Sequence, residues 1–164
     1  MKQNNRLLLI AAALCIAALI AMTAALSAPR KVVREPFTPP PFDVTAQQGV
    51  PEVSAELGWK DIDVTSFRFA ACGALIPTDN SVDVWMTNYD SNGVWLKLRM
   101  LDENGNILGE TGLIRPGEYV RSVQLTEIPA VGAAVTLKVM AYEPETYHSM
   151  GSVELATAIK EGTS

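Results

Sequence analysis

The sequence contains only two cysteines and one histidine, which removes several classes of site. Cys15 lies in a hydrophobic N-terminal segment, so Cys72 has no partner for a disulfide inside the folded part. No Cys-x-x-Cys pair and no group of cysteine and histidine residues is present, which excludes a zinc site. We therefore interpret Cys72 as a small buried apolar residue rather than a reactive thiol.

The sequence also lacks a recognisable set of catalytic residues. His148 is the single histidine, but no Gly-x-Ser-x-Gly turn supplies a nucleophile for it. Glu143 and Glu145 flank a proline after a predicted strand, where acidic residues commonly keep a loop in solvent. Neither oxygen-rich loop, 90–93 or 102–106, has the spacing of a calcium-binding loop. We expect no enzyme, no metal and no cofactor.

Positive charge is scarce in most of the chain. Residues 1–35 carry five basic residues and one acidic residue, a net charge of +4. Residues 36–164 carry eight basic and seventeen acidic residues, a net charge of −9, which brings the total to −5. A fold this acidic repels phosphate backbones, so no nucleic-acid partner is expected.

The one long hydrophobic run, residues 7–26, contains no charged residue. As a helix rising ~1.5 Å per residue it matches a hydrocarbon core of ~30 Å, which predicts contact with the membrane. Its position at the start of the chain is typical of an export signal, with the rest of the protein extracytoplasmic. One reading is a single-pass protein of the cell membrane. The alternative is secretion after cleavage near Ser27–Ala28, where small residues precede the bond.

Three regions are predicted along the chain. Residues 1–35 form the signal anchor or signal peptide. Residues 36–51 form a linker, because four prolines at positions 36–41 favour the polyproline II conformation and a semi-rigid spacer. Residues 52–164 form one β-rich domain.

The alternation of apolar and polar residues in the domain predicts an all-β sandwich of seven or eight antiparallel strands. No segment after residue 35 has a helical period. The predicted strands are Val53–Leu57, Ile62–Cys72, Val82–Tyr89, Val94–Leu101, Asn106–Gly109, Glu118–Leu125, Val135–Tyr142 and Val153–Ile159.

A hairpin is predicted between the strands Val82–Tyr89 and Val94–Leu101, closed by a turn that ends at Gly93. Its register places the aliphatic residues of both strands towards the core. On the opposite face it pairs Asp83 with Arg99, and Trp85 with Lys97.

This outer face is the candidate binding surface. Its residues are Trp85, Trp95, Lys97 and Arg99. Aromatic residues and arginine are over-represented at the energetic centres of protein interfaces, which favours a protein partner in the envelope. Tryptophan and tyrosine faces also stack on sugar rings, so a glycan is the alternative ligand.

The run VWLKLRMLDENGNILGETGLIRPGEYVRSVQL, Val94 to Leu125, resembles immunoglobulin-like extracytoplasmic domains of Gram-positive-type bacteria. There, a strand ending in Leu-Asp leads through an Asn-Gly or Asp-Gly turn to a short strand, and a Pro-Gly-Glu corner starts the next. The layout also resembles small signal-anchored envelope proteins, some of which accompany conjugation or secretion machinery. The resemblance implies an immunoglobulin-like β-sandwich and a non-enzymatic interaction or structural role, and it carries no site residues.

Overall fold

Two antiparallel sheets account for nearly all regular structure in residues 37–162, the part of the chain that the computed structural model describes. Their strands are β1 (Gln47–Gln48), β2 (Trp59–Val64), β3 (Phe67–Cys72), β4 (Pro77–Thr78), β5 (Ser81–Asn88), β6 (Trp95–Leu101), β7 (Ile107–Glu110), β8 (Glu118–Gln124), β9 (Ala134–Tyr142) and β10 (Ser149–Ala158). The strand order is β1-β8-β5-β3-β2 in sheet I, where β4 also pairs with β5, and β10-β9-β6-β7 in sheet II. The predicted all-β sandwich is confirmed.

The predicted membrane segment 7–26 and the cleavage position near Ser27–Ala28 lie outside the described residues. Within residues 37–162 no helix has the length and apolar character needed to cross a bilayer.

The core lies between the sheets and is built by strict alternation. Sheet I contributes Val82, Val84 and Met86, and sheet II contributes Leu96, Leu98 and Met100. All six side chains are fully buried. Burial of each such side chain stabilises the fold by ~1.5–3 kcal/mol, so the two aliphatic rows are the main reason that the sheets pack face to face.

The structure corrects the hairpin predicted between Val82–Tyr89 and Val94–Leu101. The two segments are strands, but β5 pairs with β3, β4 and β8 in sheet I, whereas β6 pairs with β7 and β9 in sheet II. Their aliphatic rows meet across the core instead of side by side in one sheet. The Asn88 side chain fixes the crossover by donating to the carbonyls of Val94, over 3.0 Å, and Ile114, over 2.9 Å.

Two further strand predictions were wrong. The segment Ile62–Cys72 is a hairpin of β2 and β3 with its turn at residues 65–66. The core-facing residues are even-numbered in β2 and odd-numbered in β3, a change that one continuous strand cannot make. The segment Val53–Leu57 is not a strand but contains a 3₁₀ turn, Ala55–Leu57.

The residues that lead into the sandwich contact its edge. The compact unit begins at Thr38, within the region assigned to the linker. The Asp43 N–H donates to Leu113 O over 2.9 Å, and the Leu113 N–H donates to Pro41 O over 2.9 Å. The strand β1 pairs with β8 further along. Residues 41–48 therefore form an arm held against the sandwich.

Candidate functional site

Trp85 lies on the outer face of sheet I in an unusual backbone conformation. Its φ is 44°, in the left-handed region that bulky residues rarely adopt. The register between β5 and β8 is irregular here, from Asp83 opposite Ser122 to Met86 opposite Val120. Two residues of β5 thus oppose the single residue Arg121, which makes a β-bulge. Such strain costs ~1–3 kcal/mol and is concentrated at functional positions.

Neighbours on β8 hold the Trp85 indole in place. The Tyr119 ring stacks against it, with centroids 5.9 Å apart and an interplanar angle of 26°. The Arg121 guanidinium lies 5.2 Å from the indole centroid on the same face. Arg121 is fixed in turn by Asp83, 3.1 Å from its Nη2 atom. The result is a pair of stacked aromatic rings with a cation over the indole.

A second tryptophan completes this surface from the edge of the sheet. The Trp59 indole N–H on β2 donates to the Trp85 carbonyl over 3.0 Å. The bond spans β3, where Ala70 and Cys72 are small and buried. We call Trp59, Trp85, Tyr119 and Arg121 the Trp85 platform.

A polar cluster lies on the β2–β3 side of the same sheet. The Asp61 carboxylate accepts hydrogen bonds from the Tyr89 hydroxyl and the Arg68 guanidinium. These bonds lower the pKa of Asp61. Burial, and then the hydrogen bond to Asp61, raise the pKa of Tyr89 to about 12. Asp61 is therefore ionised and Tyr89 is neutral around neutral pH.

The other three predicted binding residues lie on sheet II, away from Trp85. Trp95, Lys97 and Arg99 alternate along the outer side of β6. The predicted pairs of Trp85 with Lys97 and of Asp83 with Arg99 were therefore wrong. Arg121 of β8 contacts both Trp85 and Asp83 instead.

Lys97 and Arg99 share one carboxylate. The Glu110 oxygens lie 2.7 Å from Lys97 Nζ and 2.9 Å from Arg99 Nη2. Burial alone raises the pKa of Glu110, but the hydrogen bonds and charges of the two cations outweigh it, so the pKa is lowered. The Lys97 side chain is only 8% exposed. It therefore contributes to the stability of this face more than to its contact area.

Trp95 belongs to an aromatic cluster at one end of the sandwich. Its ring meets Phe42 of the N-terminal arm edge-on, with centroids 4.8 Å apart, and Tyr147 of the β9–β10 loop at 5.2 Å. The Arg115 guanidinium lies 3.6 Å from the Phe42 ring centroid. Trp95 thus joins the arm to the sandwich.

The remaining candidates for chemistry are separate from these surfaces. The His148 side chain is 81% exposed in a loop, with Nδ1 3.8 Å from Glu143. Asp102 accepts hydrogen bonds from the backbone N–H groups of Asn104 and Asn106. The loop is therefore a hairpin turn, as its Asn-Gly pair predicts. Among residues 37–162, no group of three potential metal ligands comes together.

Sequence reasoning missed Trp59, Tyr119 and Arg121. Tyr119 and Val123 are four residues apart on β8, yet Val123 lies in the core while Tyr119 points outward and donates its hydroxyl to Gln47 Oε1. The irregular register beside Trp85 breaks the alternation between them, and it leaves no clear mark in the sequence. An available signal was the alternation of Tyr119 and Arg121, which is typical of one exposed face.

Comparison with known proteins adds no family assignment. No protein-family model matches the chain, and no curated protein matches it significantly.

Proposed function

We propose that this chain is a non-enzymatic interaction module of the bacterial cell envelope. Residues 7–26 anchor it in the membrane, and the sandwich is extracytoplasmic. The observation that carries the proposal is the Trp85 platform. Trp85 is held at a φ of 44°, its indole stacks on Tyr119, and its main-chain carbonyl accepts a hydrogen bond from Trp59, so it offers a preorganised contact surface. Rigid aromatics with an adjacent arginine give much binding energy at a low entropic cost.

An immunoglobulin-like topology is the finer part of this proposal. The chain crosses between sheets from β5 to β6, from β7 to β8 and from β8 to β9, and it makes hairpins from β6 to β7 and from β9 to β10. If β3, β5, β6, β7, β8, β9 and β10 are equated with strands A to G of a sandwich, the sheets β3-β5-β8 and β10-β9-β6-β7 differ from the constant-type immunoglobulin arrangement only in the fourth strand, which pairs with β6 instead of β8. Many extracellular binding domains use this architecture, although fold alone does not determine function.

The function is tested by comparing two tryptophans that lie on opposite sheets. Tagged full-length chain is purified in detergent from the envelope of its native host as wild type, Trp85→Ala and Trp95→Ala. We expect a defined co-purifying protein to be lost with Trp85→Ala and kept with Trp95→Ala, while both variants remain folded by thermal melting. Identical co-purification from all three proteins would contradict the role of the Trp85 platform.

Membrane topology needs its own measurement. A protease added to intact cells without a wall should digest the domain, and N-terminal sequencing should find residue 1 or 2. A mature terminus near Ala28 would replace the anchored reading with the secreted one. Protection of the domain from the protease would contradict export altogether.

A glycan is the second candidate ligand, and one observation favours it. Trp85 and Tyr119 are adjacent, partly exposed aromatic rings on the outer face of sheet I, and such rings can stack on sugar rings. A glycan array that includes peptidoglycan fragments separates the two ligands. Binding to a glycan that disappears with Trp85→Ala would support a glycan ligand. No binding to any glycan on the array would contradict it.

A further inference from the structure

β10 is an edge strand of sheet II, and among residues 37–162 no strand pairs with the central part of its outer side. In an antiparallel ladder, residues that bond the neighbouring strand alternate with residues whose N–H and C=O point away. Ile159, just beyond the strand, donates to Ala133 O over 3.0 Å and accepts from Gly132 N over 2.9 Å. Odd-numbered residues of β10 therefore bond towards β9. The backbone N–H and C=O groups of the even-numbered residues therefore point away from β9. Lys160 follows this pattern, because its N–H donates to Leu75 O over 2.8 Å.

The two ends of this outer side are covered, but its centre is open. At the first end, Ser66 Oγ donates to Met150 O over 3.1 Å. At the second end, Leu75 bridges Ile159 in parallel. Between them three exposed residues pair only with β9 in the described part of the chain: Ser152, Glu154 and Ala156. Natural sheets often protect such an edge with lysine, proline or a bulge. β10 contains no lysine or proline, and its one register irregularity lies between Ser149 and Gly151, before the open centre.

A groove of about 360 Å³ with both apolar and polar lining residues lies beside this open edge, between β10 and the β2–β3 hairpin. Its lining includes Ile62 and Ala71 from sheet I and Leu137 and Leu155 from sheet II. Ile62 and Leu155 pack against the core but are only partly buried. Sheet II ends at β10, so a strand placed beside β10 would cover both residues and fill the groove.

Lys60 gives the groove a specific charge. It precedes Ile62 by two residues on β2 and therefore lies on the same side of that strand. It lines the groove, is exposed, and has no carboxylate partner within residues 37–162. Glu154, which also lines the groove, is paired with Lys138 Nζ at 2.8 Å. The unpaired charge at the groove is thus positive.

We propose that an extended segment of a partner protein adds to sheet II beside β10. Its alternate side chains are apolar and enter the groove, and one of them is a carboxylate that faces Lys60. Main-chain hydrogen bonds to the even-numbered residues of β10 supply affinity, and the groove supplies specificity, as in other strand-addition complexes. This surface is separate from the Trp85 platform and does not depend on the proposed role of that platform.

The test uses the full-length chain in detergent micelles and two labelled, end-blocked heptapeptides, Thr-Val-Thr-Glu-Thr-Val-Thr and the same peptide with a central lysine. Fluorescence anisotropy should show about fivefold tighter binding of the glutamate peptide. Lys60→Glu should reverse that preference, whereas the matched reversal Arg115→Glu, at an exposed cation outside the groove lining and outside the Trp85 platform, should leave it unchanged. Equal binding of the two peptides, or no binding at millimolar concentration, overturns the proposal.

A backbone variant tests the strand pairing independently of charge. Ala156→Pro removes one outward N–H and leaves the bonds to β9 in place, so it should weaken the glutamate peptide about tenfold with an unchanged melting temperature. Hydrogen exchange at Ser152, Glu154 and Ala156 should slow when the peptide binds. If these amides are already protected from hydrogen exchange without peptide, the groove is occupied in the free protein. The occupant is a second copy if the chain is dimeric, and its own N-terminal segment if the chain is monomeric. Either result overturns the proposal.

Discussion

The indole N–H of Trp59 donates to the main-chain carbonyl of Trp85 across the width of β3. The edge strand β2 is thereby tied to the bulge of β5, two strands away. The bond satisfies a carbonyl that a regular ladder would have used, and it helps to hold Trp85 at its positive φ. The outer face of sheet I is consequently a fixed surface.

Trp59→Phe should lower the free energy of unfolding by about 1 kcal/mol, because it removes one hydrogen bond and keeps most of the apolar cover over β3. Urea denaturation of the full chain in detergent measures the change. The matched control is Trp95→Phe, since the Trp95 indole donates no hydrogen bond within residues 37–162. An equal loss in the two variants would show that the Trp59 bond has no special role.

Glu110→Ala should destabilise the fold by about 2–3 kcal/mol, because it leaves the buried Lys97 ammonium without its partner. Glu154→Ala, which breaks the more exposed pair with Lys138, should cost less than about 1 kcal/mol. Equal losses of unfolding free energy in urea denaturation would contradict the expected difference between the buried and the exposed ion pair.

The pH dependence of stability should also report on Glu110. Its pKa in the folded protein is lowered, so its contribution is complete above the pKa of the unfolded chain and is lost as the pH falls through the folded value. Glu110→Gln should therefore reduce the loss of stability between neutral and acidic pH. If the free energy of unfolding of Glu110→Gln fell with pH as steeply as that of the wild type, the role assigned to Glu110 would be contradicted.

Gly112→Ala should detach the N-terminal arm from the sandwich. A Cβ at Gly112 would clash with the Asp43 backbone nitrogen and lie 2.7 Å from the Phe42 carbonyl carbon. We expect a loss of about 1–3 kcal/mol and faster hydrogen exchange at Asp43. Gly93→Ala is the control, because a Cβ there has no heavy atom within 4 Å. Unchanged exchange at Asp43 would contradict the contact.

Cys72 should be unreactive in the folded protein. Burial, and then the charge of Asp83, raise the pKa of its thiol to about 12. In a Cys15→Ser background, Ellman's reagent at pH 8 should label Cys72 only as fast as the domain unfolds. Labelling at the rate of a free thiol in solution would contradict its burial.

Alternation along single strands made the sandwich predictable, because core-facing side chains must recur every second residue. Val82, Val84 and Met86, and the row from Leu96 to Met100, were therefore assigned correctly to the core. The same signal cannot distinguish two strands side by side in one sheet from two strands facing each other across the core. The crossover between β5 and β6 was consequently read as a hairpin.

The candidate site was predicted only in part for a related reason. Trp85 was identified from its residue type, but its neighbours depend on which strand lies beside β5. That strand is β8, which is distant in sequence, and its Tyr119 and Arg121 complete the surface. Pairing between distant strands is determined by the packing of the whole sandwich, and local patterns contain little information about it.

The most direct test of the central claim is photo-crosslinking in living cells of the native host. A benzoylphenylalanine is placed at position 122, next to Arg121 on β8, and in a second strain at position 103, in the loop between β6 and β7. We predict one defined protein adduct from position 122 that disappears with Trp85→Ala, and no such adduct from position 103. Identical adducts from both positions, or an adduct at 122 that persists without the Trp85 side chain, would contradict the account.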